Sequence, residues 1–375
     1  YSQARGAHIR VTGGEDWGLT DSRFHHNAGQ GLHVVGENAG ITLADTTFDA
    51  NGGDGLQVTS TGRVSLTELQ VQGNGNHGVS VNTTGALAMR ENAVENHPSG
   101  VGLYVANASA ESTLEDNVIA GARIVAKVVP NVVDPLTHGN DLRDTDRGVY
   151  VLSGAVTTEA LWPAEPYAYV LEYGHDLTVA AAAHLTLEPG VVMKMSPVRD
   201  WNNDGDITVN GRLDAVGTPE APIVFTSLND DTFGGDTNGD DQDSGPAAGD
   251  WGRLRFAGDG TGALEHVTLQ FGGGGNDGNC CAGARGTDAT LSIASDVPPT
   301  MTQLAIRHSQ ARGAYVGVTG GQAWGISNTI FADNGSHGLE VRGENAPFGL
   351  DQVTAENNAG HGMVLHSTGE QRLSL

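Results

Sequence analysis

Apolar and polar residues alternate in short bursts of three to five along most of this chain, with Gly, Asn and Asp standing between the bursts. Alternation with period two predicts short β-strands, and the Gly/Asn/Asp punctuation predicts tight turns. One unit, Asn-x-x-x-Gly-apolar-x-apolar, recurs at Asn27…Gly31-Leu32-His33-Val34, at Asn51…Gly55-Leu56-Gln57-Val58 and at Asn74…Gly78-Val79-Ser80-Val81. A looser form follows at Asn96…Gly102-Leu103-Tyr104-Val105, so the four glycines are spaced 24, 23 and 24 apart. The unit returns at Asn334…Gly338-Leu339 and Asn358…Gly362-Met363. A further short strand fits between glycines, over 41–48 and over 64–71. One glycine per turn of about 24 residues with two or three strands is the arithmetic of a β-solenoid, whose coils bury apolar residues by stacking about 4.8 Å apart. The amides Asn27, Asn51, Asn74 and Asn96 are expected to hydrogen-bond as a ladder from coil to coil.

A longer period lies above the short one. Ser2-Gln3-Ala4-Arg5-Gly6-Ala7 reappears as Ser309-Gln310-Ala311-Arg312-Gly313-Ala314, and Trp17-Gly18 as Trp324-Gly325. Every such pair differs by 307, and residues 1–68 match 308–375 without gaps at about 30 positions. The chain therefore reads as a module of about 307 residues followed by the start of its copy, a sample of a longer array. Four segments follow: coils over 1–129, a boundary or linker over 130–176 where Pro, Asp and Trp break the rhythm, coils with acidic insertions over 177–307, and coils over 308–375 that repeat 1–68. The run 180–183, four alanines before Glu188-Pro189-Gly190, is too short for a helix between strands and reads as a turn.

Composition narrows the partners. Of 375 residues 55 are Gly, too many for a large helical protein. Asp and Glu total 45 against 19 Lys and Arg, a net charge of −26, and the only lysines are Lys127 and Lys194. Such a field repels nucleic acid and anionic membrane surfaces. No apolar run reaches the roughly 18 residues of a membrane span.

The Asn-x-x-x-Gly-Leu-x-Val coils resemble the parallel β-helix repeats of the pectate-lyase-like superfamily. The stretch 177–227, with Leu185-Thr186-Leu187-Glu188-Pro189-Gly190 and Val209-Asn210-Gly211-Arg212-Leu213-Asp214-Ala215, resembles the opening coils of large bacterial surface β-helix proteins. The resemblance implies an all-β, right-handed parallel β-helix and a secreted or cell-surface setting. It does not select an activity, since that superfamily includes lyases, hydrolases, adhesins and spacers.

The strongest local chemistry is acidic. Asp230, Asp231, Asp236, Asp240, Asp241, Asp243 and Asp250 crowd one Gly-rich stretch. Asp236-Thr237-Asn238-Gly239-Asp240 sets oxygen donors at positions 1, 3 and 5, the spacing with which a short loop wraps a hard cation such as calcium. It departs from an EF-hand, having Asp241 at position 6 and Ala247 at position 12. Asn202, Asp204 and Asp206 form a second cluster that would add ligands or build another site. So many carboxylates without a counter-ion would repel one another; the alternative is a solvated acidic loop.

Other motifs carry less. Gly360-His361-Gly362 resembles a polygalacturonase element, but His77 and His337 hold the same slot in other coils, so the histidine belongs to the repeat. His337 and His361, one coil apart, are a weak candidate for a shared metal. Lyase chemistry in the superfamily would want an Arg or Lys base in a basic cleft, and no Arg cluster is apparent. The adjacent Cys280 and Cys281 are too close for a zinc knuckle and are candidates for a vicinal or interchain disulfide in an oxidising compartment. Asn82, Asn107 and Asn334 fit a glycosylation acceptor pattern. Together these readings favour a non-enzymatic repeat protein of an extracellular fibre, filament or adhesin stalk, calcium-stabilised and associating with copies of itself. A polysaccharide-binding or polysaccharide-cleaving β-helix is the alternative.

Overall fold

The computed structural model describes residues 4–145, 147–197, 205–274, 289–318, 321–343 and 346–374. They fall into two compact units, Tyr1–Leu152 and Ser153–Leu375. Both are all-β parallel solenoids.

In the first unit the coils as far as Glu115 build three parallel ladders. The first ladder starts with Ala7–Val11, Leu32–Gly36, Leu56–Ser60 and Val79–Thr83, in register Ala7↔Leu32↔Leu56↔Val79. The second runs through Trp17–Leu19, Ile41–Ala44, Val64–Thr67, Leu87–Arg90 and Thr113–Glu115. The third starts with Arg23–His25, Thr47–Asp49 and Gln70–Gln72. The long strands Ala93–Asn107 and Val118–Val128 serve the first and third ladders together. Because pairing is in register, like stacks on like: Leu32, Leu56, Val79 and Leu103 form one fully buried column, and Val34, Val58, Val81 and Val105 another. Phe24 and Phe48 stack with centroids 5.4 Å apart.

Where the sequence suggests one strand over 41–48 and one over 64–71, the structure has two in each. Asp45 and Glu68 break them, with φ of 47° and 53°. The same left-handed slot holds Asp21, Glu91 and Asp116, and a second slot holds His26, Ala50, Gly73, Asn96 and Gly121. In both, the turn residue's N–H reaches a carbonyl of the next coil, as in Asp45 N to Thr67 O (3.2 Å) and Ala50 N to Gln72 O (3.0 Å). The corner is thus closed by inter-coil hydrogen bonding.

The recurring glycine has a steric cause. A Cβ on Gly55 would lie 2.6 Å from Asn74 Nδ2 and 2.8 Å from the Gly78 carbonyl oxygen. The asparagine of the next coil occupies that space. Its amide continues the ladder, Asn27 Nδ2 donating to Asn51 Oδ1 (2.8 Å) and Asn51 Nδ2 to Asn74 Oδ1 (2.9 Å). The fourth rung departs from expectation. It is His97, whose Nε2 faces Asn74 Nδ2 at 3.3 Å, while Asn96 turns the chain with φ of 60°. A second ladder, Asn92–Asn117–Asn140, has amide bonds of 2.7 Å at both steps.

The segment 130–176, expected to be a boundary, contains the division between the two units and carries ordered elements on both sides of it. Within the first unit it begins with an eight-residue helix, Pro130–Thr137, that buries Val132, Val133 and Leu136 and packs against Thr113–Glu115. Asp141–Arg143 and Val149–Val151 then resume parallel pairing.

The second unit is again built of parallel ladders. One runs from Gly154–Val156 through Leu177–Val179, Ile207–Val209, Leu254–Gly258, Ala289–Ser295, Arg312–Val316 and Leu339–Gly343 to Met363–Ser367. Residues 180–183 form a turn closed by Ala183 N to Ala180 O (2.8 Å). Residues 308–375 reproduce the pairing of 1–68 strand for strand. Trp17↔Ile41 recurs as Trp324↔Phe348, Leu32↔Leu56 as Leu339↔Met363, and the Asn27–Asn51 rung as Asn334–Asn358 (2.8 Å). Asn334 is buried in that rung, which leaves no room for a glycan.

Candidate metal centre

The acidic stretch is a loop inserted between the strands Ile223–Ser227 and Leu254–Gly258. It lies over residues that alternation would otherwise leave in water: Lys194, Thr226 and Ser227 are fully buried. Lys194 sits in the strand Val192–Met195, and its Nζ donates to the Gly235 carbonyl at 2.5 Å. Burial holds the Lys194 ammonium below its usual range, against the opposing pull of Asp231, Asp230 and Asp236. The chain has placed one of its two lysines beneath its densest run of acid.

Most of these carboxylates are not unpaired. Asp230 is buried and saturated: Oδ2 accepts from Thr226 Oγ1 (2.5 Å) and Gln270 Nε2 (2.7 Å), and Oδ1 from the Thr232 hydroxyl and N–H. Asp250 Oδ2 accepts from Ser227 Oγ (2.6 Å) and the Ala247 N–H (3.0 Å). Asp236 accepts the N–H groups of Gly239 (2.6 Å), Asp240 (3.2 Å) and Asp241 (3.0 Å), tying the loop to its own first ligand position. Asp240 Oδ2 accepts from Asn238 Nδ2 (2.9 Å) and from the Ser244 hydroxyl and N–H. Mutual repulsion of the acids is therefore a weaker argument for a cation than the sequence suggests.

Asp231 differs. Its Oδ1 is buried with no hydrogen-bond partner, and burial followed by the charge of Asp236 raises its pKa. Its carboxylate converges with those of Asp236 and Asp240, one oxygen of each within 4.8 Å of the others. Three carboxylates at that separation, one holding an unused buried oxygen, fit a hard divalent cation. Beside them opens a groove of about 470 Å³ lined by Asp231, Phe233, Gln242, Ser244 and Phe271.

The remaining expected ligands divide. Asp241 and Asp243 are exposed on the loop's outer turn. Asn238 orients Asp240, to whose N–H its Oδ1 lies 3.3 Å away. Asp206 is committed elsewhere: it accepts from Arg253 Nε (3.1 Å) and the Arg253 N–H (3.0 Å), and burial raises its pKa while the guanidinium opposes the shift. Asn202, Asp204, Cys280 and Cys281 lie outside the described residues. Sequence reasoning missed Lys194, Thr226 and Gln270. The available signal was a lone lysine inside an apolar strand of a lysine-poor chain. His337 and His361 stack at 5.2 Å, but His337 Nδ1 accepts the His361 N–H (2.9 Å), which removes that nitrogen from metal duty.

Residues 1–119 match the family model described as right handed beta helix region. No curated protein and no solved structure matches the chain. Among the described residues no helix is long and apolar enough to cross a membrane.

Proposed function

The chain is a parallel β-helix repeat protein, and from that premise we propose that it is a non-enzymatic structural module of an extracellular fibre, filament or adhesin stalk. The observation that carries this reading is the strand-for-strand return of the pairing of 1–68 in 308–375, down to the Asn rung and the Trp column. A solenoid whose sequence repeats at 307 residues is a unit for lengthening, because each coil supplies the template for the next. In this reading calcium at Asp231, Asp236 and Asp240 ties down the longest acidic excursion. Its removal loosens the loop and stops no reaction.

Electron microscopy of the purified protein, with calcium and after chelation, tests the reading. Filaments with an axial repeat of one module, disordered by chelation, are expected. Single short rods indifferent to calcium would overturn it and turn attention to polysaccharide binding or cleavage.

A further inference from the structure

The outward column of the first ladder carries two imidazoles side by side. His8 and His33 are register partners on Ala7–Val11 and Leu32–Gly36, and Gln57 and Ser80 continue the column. Their Nδ1 atoms lie 3.1 Å apart, with ring centroids at 4.7 Å and ring planes inclined by 55°. A guanidinium can only donate, so Arg5 Nη1, 3.4 Å from His8 Nδ1, makes that nitrogen an acceptor. His33 Nδ1 faces the same lone pair. Arg5 has its anchor elsewhere: its Nε donates to Gln30 Oε1 (2.7 Å), and Gln30 Nε2 donates to Gln57 Oε1 (3.1 Å). The fold does not require the histidine pair. In the second copy the same register holds Tyr315↔Glu340, and Glu340 is ion-paired with Arg312 and Arg342.

We propose that His8 and His33 form a site for a divalent late transition metal, copper above zinc, that clamps their two coils across the outer face. With metal–nitrogen bonds of about 2.0 Å, nitrogens 3.1 Å apart subtend an angle of about 100° at the metal. That bite lies between the right angle of tetragonal copper and the tetrahedral angle of zinc. Both Nδ1 lone pairs then serve one cation, both ring protons sit on Nε2, and Arg5 keeps its bond to Gln30 while Nη1 turns away. Imidazole nitrogen suits these metals, and copper stands highest in the order of affinity. Water completes the coordination, since the group of three converging ligands among the described residues is the distant Asp231, Asp236 and Asp240. His25 and His26 bring their Nδ1 atoms equally close, at 3.0 Å. They are consecutive and exposed, and His26 stands in a corner with φ of 53°, so strand pairing does not set their spacing. The site is independent of the acidic loop and of the fibre reading.

Titration of the untagged full chain with copper(II) tests the site, with calorimetry reading affinity and electron paramagnetic resonance reading the ligands. The native chain should take up one tightly held ion whose superhyperfine pattern shows two imidazole nitrogens. A second nitrogen fixed in place acts at high effective concentration, so His8→Tyr and His33→Gln should each weaken binding by about a hundredfold. Each should also reduce the pattern to one nitrogen. Tyrosine is what the second copy carries at the first of these positions, and both side chains point outward, so the variants keep their coils. His25→Gln and His361→Gln should bind as the native chain does. Saturating calcium should leave the titration unchanged, because calcium takes oxygen ligands. No tight uptake by the native chain, unchanged affinity in His8→Tyr and His33→Gln, or a loss in His25→Gln instead would overturn the site. So would copper uptake that calcium abolishes, which would place the ion in the acidic loop.

Discussion

His97 stands where the first unit's ladder of amides needs a fourth rung, and it fills the place with an imidazole. Asn74 Nδ2 is a donor, so His97 Nε2 accepts and the ring proton sits on Nδ1, which is buried without a partner. Protonation would turn Nε2 into a donor facing a donor at a fully buried position. Burial accordingly lowers the pKa from 6.5 to about 4, with the charge of His77 adding to the effect. A base depressed in the folded state contributes stability above its unfolded pKa and loses it as pH falls through the folded one. The first unit should therefore lose up to about 3 kcal/mol between pH 6.5 and 4 on account of this residue alone. Denaturant titrations at both pH values, on the native chain and on His97→Gln, measure it. Gln keeps a hydrogen-bonding head and does not titrate, so the variant should be weaker at pH 7 and show a shallower loss on acidification. Equal slopes for the two chains would contradict the assignment.

At the scale of the element, the coil distinguishes glycines that look alike in sequence. Gly55 and Gly73 both belong to the turn repeat. A Cβ on Gly55 would strike Asn74, Val71 and the Gly78 carbonyl, all within 2.8 Å. Gly73 has φ of +61° and nothing within 4 Å, and Ala50 already holds the same slot one coil earlier. Gly55→Ala should cost roughly 3 kcal/mol by overpacking, while Gly73→Ala should cost about 1 kcal/mol, the ordinary penalty of a left-handed L-residue. Paired urea titrations would show the difference, and comparable losses would mean that the Asn–Gly contact does not set the spacing. Element existence was legible because spacing and stereochemistry share a cause: the next coil's asparagine excludes any side chain larger than hydrogen. The corners at Asp45 and Glu68 were less legible, since a left-handed carboxylate interrupts no hydrophobic pattern. The fourth rung was missed because Ala93–Asn107 bulges between His97 and Val101, moving the ladder residue off the Asn-x-x-x-Gly spacing. The acidic loop showed its ligand spacing, whereas its counter-charge, Lys194, lies 41 residues from the carbonyl it holds. Contacts of that range are made by the stacking itself.

The whole molecule carries a net charge of −26, and the coil concentrates part of it. Asp21, Asp45, Glu68, Glu91 and Asp116 share one left-handed slot and stack down the first unit. Asp45 hydrogen-bonds to Glu68 and raises its pKa, with the like charge adding to the shift. In the second copy the slot is neutral, at Asn328 and Gln352. Two cation effects should therefore separate. Diffuse repulsion along such a column is relieved by any salt, because the Debye length shrinks from about 10 Å at 0.1 M to about 3 Å at 1 M. Calcium in the loop should instead act at one place and saturate, adding about 2.7 kcal/mol at a hundredfold excess over its dissociation constant. Binding must also displace any proton from Asp231, whose raised pKa makes the neutral carboxyl more persistent, so affinity should begin to fall above the ordinary carboxylate range of roughly 4. Thermal unfolding of the full chain and of Asp231→Asn, each with sodium chloride and with calcium in a constant salt background, compares the two effects. The native chain should gain from both. The variant should keep its gain from sodium chloride and lose its gain from calcium, because amide nitrogen replaces one of three converging carboxylate oxygens while the stacked column is untouched. A variant that retains the calcium gain, or a native chain in which salt reproduces it, would assign the acidity to screening and remove the loop from the list of cation sites.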